Sequence, residues 1–192
     1  HQVHLEAFYM DLQPVTQTQY QHFVRETGYR NREWEPLADA ADHPVIRVSW
    51  EDAVAYCTWA QKRLPTEAEW EKAARGTDGR TFPWGDTFER GRASVLGRGF
   101  SGTSPVGTLP AGASPYGGLD MSGNVWEWVA DYYAPDYYAS GPPHNPMGPD
   151  KGRQRVMRGG AWICHRRYLR CAKRERQAPD YRSRLVGFRC AL

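Results

Sequence analysis

The sequence GNVWEW, at residues 123–128, decides the fold. The run from Asn124 to Val129 is rich in bulky apolar and aromatic side chains, which favour extended backbone and predict a strand. Trp126 and Trp128 alternate along this run, and indole rings anchor a strand because they bury a large area. We therefore expect this strand to belong to the framework of the protein.

Outward from this strand, three helices are predicted by their caps. Residues 63–71 read RLPTEAEWE, in which Thr66 precedes a glutamate by three positions and forms a capping box. The helix that begins there ends at Gly76, because glycine adopts a C-cap conformation at low cost. The same reasoning predicts helices in two further places, from Thr16 to Gly28 and from Ser49 onward.

Little regular structure is expected elsewhere. Alternating residues predict a strand at 3–11, and two terminal strands are predicted at 155–162 and 185–191. Residues 76–123 show no helical period, since glycine or proline recurs every few residues. The 192 residues suffice for one core, and no linker separates two domains. With 8 Trp, 11 Tyr, 19 Gly and 14 Pro, the sequence predicts one loop-rich α+β domain over residues 1–192.

The charge is divided unevenly along the chain. Residues 151–192 hold 13 Lys and Arg against 2 Asp and Glu, whereas residues 1–150 hold 12 against 20, so the net charge is only +3. A basic segment can indicate binding of nucleic acid. Internal ion pairs with the acidic part of the chain account better for this positive charge, so no nucleic-acid partner is expected. The arginines predicted to pair internally are Arg158, Arg170, Arg174 and Arg189.

Several classes of protein are not supported by the sequence. No apolar run approaches the roughly 18 residues of a membrane helix, so no membrane span is expected. No charged region followed by an apolar run opens the chain, so no signal peptide is expected and the compartment is not predicted. GxSxG and P-loop motifs are absent, and the histidines lack metal spacing, which argues against hydrolase and nucleotide-binding chemistry.

Seven segments, taken in order, resemble one family, the formylglycine-generating enzymes or sulfatase-modifying factors. The segments are PVT at 14–16, HPV at 43–45, RLPTEAEWE at 63–71, PWG at 83–85, GNVWEW at 123–128, RGGAW at 158–162 and GFRC at 187–190. They extend over essentially the whole chain. The resemblance implies a decorated variant of the C-type lectin fold, with many ordered loops, as one domain.

The resemblance also implies a structural calcium ion. The positions that match the family's ligands, mostly backbone carbonyls, are Asp120, Gly123, Val125 and Glu127. A carboxylate and backbone carbonyls suit a hard cation with a flexible oxygen shell. A second family calcium site matches Ser94, Val95, Arg98 and Phe100. This second site is expected to be lost, because Arg98 stands in place of an acidic ligand.

Catalysis in the family depends on a copper-binding pair of cysteines with CxxxxC spacing. Cys164 matches the first cysteine, but Leu169 stands at the second position and Ala161 where a serine is expected. Copper is therefore not expected, because a single cysteine cannot supply the pair of thiolates that selects Cu(I). The alternative is a divergent copper or thiol oxidase with Cys164, His165 and Tyr168 as its catalytic residues.

The remaining cysteines have structural interpretations. By the resemblance, Cys57 and Cys190 match a family disulfide. Cys171 matches a family structural cysteine whose partner position is Ala74, so Cys171 is predicted to be a buried free thiol. A redox or metal pair, or a disulfide, between Cys164 and Cys171 stays open as an alternative.

Residues 162–184, which we call the binding face, lie where the family has its active-site groove. Arg and Tyr are favoured at interfaces, because they combine contact area with directional hydrogen bonds. The frame also resembles variable proteins diversified by retroelements, in which a terminal segment displays varied residues. The predicted binding residues are Trp162, Ile163, Cys164, His165, Arg166, Arg167, Tyr168, Glu175, Arg176, Gln177, Tyr181, Ser183 and Arg184. The sequence thus predicts a non-catalytic module that binds a protein or small-molecule ligand.

Overall fold

A computed structural model describes residues 1–31, 33–95 and 102–192. In these ranges the helices are α1 (Gln17–Thr27), α2 (Trp50–Trp59), α3 (Glu67–Arg75) and the short α4 (Tyr137–Ser140). The strands are β1 (Trp126–Tyr132), β2 (Arg155–Arg158), β3 (Glu175–Gln177) and β4 (Val186–Phe188). Among the described residues, no helix combines the length and apolarity needed to cross a membrane.

The three longer helices begin at the caps predicted from the sequence. The side chains of Thr16, Ser49 and Thr66 each accept the amide of the third helical residue, whose side chain in turn accepts the cap amide. Helix α1 is followed by Gly28, whose φ of 68° places it in the left-handed region. All three helix predictions are confirmed, because a capping box depends only on four consecutive residues.

The four strands form one sheet in the order β3-β2-β1-β4. Strand β1 is antiparallel to β2 and parallel to β4, and Trp128 is paired with Met157 on one side and Phe188 on the other. The GNVWEW run therefore leads into an inner strand, as predicted. Strand β3 is not predicted by the sequence, because three polar residues at a sheet edge carry no apolar alternation.

Two strand predictions need correction. The strand predicted at 3–11 is wrong, because among the described residues this segment makes isolated bridges at His4 and Met10 to two distant parts of the chain. No single neighbouring strand runs along it, so no ladder forms. The strand predicted at 155–162 stops after four residues, since Gly159 has a φ of 95° that ends the extended backbone.

The core lies on both faces of the sheet. Trp128 packs in one cluster with residues of α1 and α2, whereas its neighbour Val129 packs in a second cluster with Trp70 of α3. Successive side chains of a strand point to opposite faces, so the helices cover the two sides of β1. Trp70 and Trp128 are fully buried. The RLPTEAEWE helix and the GNVWEW strand are thus framework.

Candidate functional site

One buried and one partly buried arginine attach the basic terminal segment to the acidic part of the chain. Arg158 is fully buried and donates to Glu67 at 2.7 Å and to Glu71 at 2.5 Å. Arg174 donates twice to the same Glu67 carboxylate, at 2.7 and 2.9 Å. The internal pairing predicted for these two arginines is confirmed. Their charge is therefore not available to a ligand.

Arg189 makes the most enclosed ion pair among the described residues. Both carboxylate oxygens of Glu127 accept from its guanidinium at 2.7 Å, and neither residue is exposed. The indole N–H of Trp70 donates to the same carboxylate at 2.8 Å. This pair joins α3, β1 and the end of the chain, and the prediction that Arg189 pairs internally is confirmed.

Arg170 does not pair as the sequence predicts. Its side chain is exposed, and its Nε donates to the backbone carbonyl of Arg167 at 3.1 Å. No carboxylate of the described residues forms an ion pair with it. The reason is local, because Leu169 and Cys171 on either side are fully buried and turn Arg170 outward.

The predicted calcium ligands fit a cation only in part. Asp120 supplies a carboxylate whose Oδ2 accepts the amide of Gly107 at 2.7 Å, and burial raises the pKa of Asp120. The side chain of Glu127 is already occupied by its three donors on Arg189 and Trp70. A cation here would therefore depend on Asp120 and on backbone carbonyls. Calcium stays a prediction.

Other metal sites have no side-chain support in the described part of the chain. No group of three or more His, Cys, Asp or Glu side chains gathers there. Of the second calcium site, Ser94 and Val95 are buried. Arg98 and Phe100, which complete that site, lie outside the described residues.

Cys164 sits half-buried at the start of the binding face. Its sulfur accepts the backbone amide of Ala161 at 3.4 Å. Burial raises the pKa of the Cys164 thiol, so the protonated form prevails at neutral pH. His165 is exposed and its ring accepts the amide of Arg167. The arrangement therefore provides a thiol, and no basic side chain of the described residues forms a hydrogen bond with it.

Cys171 is separated from Cys164 by its packing. It is fully buried beside Trp70 and Ala74, in the cluster that α3 forms with the sheet. Cys164 instead packs at the edge of the clusters that contain Trp126 and Leu169. Burial raises the pKa of Cys171 to about 12. The structure agrees with the prediction of a buried free thiol and gives the Cys164–Cys171 pair no support.

Cys57 and Cys190 face each other in the main core. Their sulfur atoms are 3.2 Å apart, and both residues are buried. Both are thiols in this structure. The hydrogen bond with Cys190, together with burial, raises the pKa of Cys57. The structure brings together the two residues of the expected disulfide, and their oxidation stays a prediction.

The binding face is mostly accessible, with one exception. Its exposed members are Ile163, His165, Arg166, Arg167, Arg176 and Arg184. Its half-buried members are Cys164, Tyr168, Glu175, Gln177, Tyr181 and Ser183. Trp162 differs from the prediction because it is only 6% exposed. The guanidinium of Arg184 lies 5.4 Å from its ring centre, so Trp162 supports the face from below.

Sequence reasoning missed three residues that shape this face. Arg170 donates to the backbone carbonyl of Arg167, and the Lys173 ammonium is 5.3 Å from the centre of the Tyr168 ring. Tyr133 lies under Arg176, with 4.4 Å between the guanidinium and the ring centre. Arg170 could have been recognised from the buried residues that flank it. Tyr133 carries no such signal, because it comes from another part of the chain.

Comparison with known proteins agrees with this geometry. The family model described as sulfatase-modifying factor enzyme 1-like domain matches residues 1–192. The formylglycine-generating enzyme of Bos taurus is 35% identical over 251 residues, an alignment that covers 98% of this chain and 66% of the relative. The chain thus spans slightly less than two thirds of that relative's length.

Two solved structures have the same fold. Treponema denticola variable protein 1 superposes with a TM-score of 0.84 at 26% identity, covering 98% of this chain and 85% of that one. PvdO from Pseudomonas aeruginosa gives 0.83 at 27% identity, covering 96% and 79%. The predicted α+β fold of the C-type lectin type, in its formylglycine-generating form, is confirmed. By its sequence and its fold, the chain belongs to the family of sulfatase-modifying factor enzyme 1-like domains.

Proposed function

We propose that this chain is a non-catalytic binding module that holds a protein or small-molecule ligand on residues 162–184. The observation that carries the proposal is Leu169, which is completely buried at the position of the second copper-binding cysteine. It packs with Phe82, Ala93 and Val95, so an apolar cluster fills the place of a metal ligand. Copper has no second thiolate to bind there.

The surroundings of Cys164 support the same proposal. The thiolate is the form that attacks substrates and binds metals, and burial opposes it by raising the pKa of this thiol. Ala161, at the position of the family's serine, has no hydroxyl group and is fully buried. Among the described residues, the hydroxyl of Tyr168 accepts a hydrogen bond from Arg167 at 3.1 Å and makes none with the Cys164 sulfur. These residues suit contact with a ligand better than oxidation of one.

The similarity to Treponema denticola variable protein 1 favours a binding face whose exposed residues are diversified. The frame around the binding face is buried, as Arg158 and Trp126 illustrate, whereas Ile163 and His165 are exposed. Substitutions at the exposed positions would therefore leave the fold intact. The neighbouring DNA is expected to hold a reverse transcriptase and a near-copy of the terminal segment that differs at adenines. A locus without them would contradict diversification and leave a fixed binding face.

Structural calcium is proposed for the turn before β1, with Asp120 and the carbonyls of Gly123 and Val125 as ligands. Thermal unfolding with calcium and with a chelator tests this, and calcium is expected to raise the Tm. Asp120→Asn should abolish the increase. Asp78→Asn is the matched control, because Asp78 is an exposed aspartate that pairs with Arg80. Equal responses of the two variants would refute the site.

The absence of oxidase activity is tested directly. The protein is loaded with Cu(I) and incubated in air with a peptide that contains CxPxR, and mass spectrometry follows conversion of the cysteine to formylglycine. We expect no conversion. Conversion that Cys164→Ser abolishes and Cys171→Ser preserves would overturn the binding-module proposal and establish the divergent oxidase in its place.

A further inference from the structure

Two cations lie against one aromatic ring at the start of the binding face, and two further exposed arginines are close to them in sequence. Arg166 and Arg167 lie in a 3-10 turn, Arg166–Tyr168, and Arg170 follows; all three arginines are exposed. The Arg167 guanidinium lies 4.8 Å from the centre of the Tyr168 ring, and the Lys173 ammonium lies 5.3 Å from it. We call Arg166, Arg167, Tyr168, Arg170 and Lys173 the Tyr168 patch.

Most hydrogen-bond donors of the patch have no carboxylate partner among the described residues. Arg167 uses one N–H on the Tyr168 hydroxyl, and Arg170 uses one on the carbonyl of Arg167. A guanidinium carries five N–H donors, so most remain available. In the described part of the chain, the carboxylate that reaches the patch is Glu175, 3.5 Å from Lys173. The three arginines are therefore free to pair with an incoming anion.

The patch is also held in place before any ligand arrives. The His165 side chain accepts the amide of Arg167, which fixes the start of the 3-10 turn. Leu169 and Cys171 are fully buried and hold the following backbone against the core. A preorganised backbone loses less conformational entropy on binding, which favours recognition by this segment.

We infer that the Tyr168 patch binds a short acidic peptide segment of a partner protein, through guanidinium–carboxylate pairs. This inference rests on the proposed binding function and names its class of ligand. The planar guanidinium fork matches a carboxylate in a bidentate contact. Ile163, which is 43% exposed three residues before Arg166, offers an apolar contact for a peptide side chain.

The charge of the rest of the chain favours a short peptide over a nucleic acid. Residues 1–150 carry 20 acidic against 12 basic side chains, so the charge outside the basic segment does not favour a long polyanion. Affinity for nucleic acid grows with the number of phosphates that a protein neutralises, which requires a longer basic track. A short acidic segment can satisfy the patch without crossing the acidic part.

Fluorescence anisotropy with the whole chain tests the inference. The probe is a fluorescein-labelled peptide, Leu-Glu-Glu-Asp-Glu-Leu, compared with its Gln/Asn analogue and with a short labelled single-stranded DNA. The patch variant is Arg166→Glu with Arg167→Glu. The matched control is Arg25→Glu with Arg30→Glu, two exposed arginines outside the binding face that change the net charge equally. Arg166→Gln with Arg167→Gln is a milder form of the patch variant, should the charge reversal disturb folding.

We expect the acidic peptide to bind more tightly than its neutral analogue, and the patch variant to weaken binding by about tenfold. The control variant should change binding by less than about twofold, since distant exposed charges are screened. Equal weakening in both variants, tighter binding of DNA than of peptide, or no binding of the peptide would each overturn the inference. The anisotropy experiment measures peptide binding only. The proposed non-catalytic function is tested separately, by the assay for formylglycine, so the two can fail independently.

Discussion

Replacing Arg189 with methionine would remove the cation that balances Glu127 inside the core. Both side chains are completely buried, and the two hydrogen bonds between them are 2.7 Å long. After the replacement, the Glu127 carboxylate keeps the Trp70 indole N–H as its donor. The backbone carbonyls of residues 11, 12 and 119, which also accept from Arg189, would lose that donor.

The expected cost follows from this loss. Removing one partner of a buried ion pair costs about 3–5 kcal/mol, because the other charge stays buried without compensation. We therefore expect Arg189→Met to lower the free energy of unfolding by about 4 kcal/mol, out of the roughly 5–15 kcal/mol of a typical domain. Adding Glu127→Gln should recover part of the loss, because the unpaired charge is then gone.

Arg63→Met is the matched control. Arg63 also pairs with a glutamate, Glu69, at 2.6 Å, but its side chain is 45% exposed. Because water reaches the Arg63 guanidinium, this pair should contribute less, closer to the roughly 0–1 kcal/mol of exposed pairs. The two variants thus remove the same kind of contact at different depths.

Urea unfolding, followed by tryptophan fluorescence, measures both variants under the same conditions. The slope of the unfolding free energy against urea should stay unchanged, so that the midpoint reports stability. If Arg189→Met lost no more stability than Arg63→Met, burial of the pair would not determine its contribution, and the reasoning would be refuted.

Three further predictions concern titration and cysteine chemistry. Burial raises the pKa of Asp131 to about 7 in the folded chain, above about 3.9 in the unfolded chain, so stability should fall as the pH rises between these values. Thermal unfolding across that range measures the fall, and Asp131→Asn should flatten it. In the native protein, half-buried Cys164 should be alkylated before buried Cys171, an order that mass spectrometry of partly labelled protein reveals. Under oxidising conditions Cys57 and Cys190 should form a disulfide, and Cys57→Ser should then lower the Tm by more than it does in reductant.

Each of these predictions has a contrary outcome. The same pH dependence in the wild type and in Asp131→Asn would assign the effect to another group. Labelling of Cys171 before Cys164 would contradict the buried position of Cys171. An equal effect of Cys57→Ser in oxidant and in reductant would mean that the two thiols do not join.

Local signals in the sequence predicted the helices and the main strand. The capping boxes at Thr16, Ser49 and Thr66 involve residues three positions apart, so their geometry follows from the chain itself. Strand β3 and the segment 3–11 show the limit of this reasoning. The first is a polar strand that exists because β2 lies beside it, and the second lacks any continuous neighbour.

The candidate site was predictable in its position and less so in its details. The lack of a second cysteine can be predicted from the sequence, because Leu169 stands at the position where the resemblance implies a cysteine. The sequence does not show which arginines form ion pairs. Arg158 pairs with Glu67, which is 91 positions away, whereas Arg170 pairs with no carboxylate of the described residues. Trp162 is likewise predicted from the sequence to contact a ligand, but it is buried in the structure.

The sequence by itself determined the family, the caps of the helices and the inner strand, and it predicts the loss of the copper-binding pair. These features depend on residue identity at fixed local spacing. Only the tertiary structure decided that Arg158 and Arg189 are buried counter-ions and Arg174 a partly buried one, and that Arg166, Arg167 and Arg170 face outward. The physical reason is that an ion pair depends on distance in space, and the folded chain brings together charges that lie far apart in sequence.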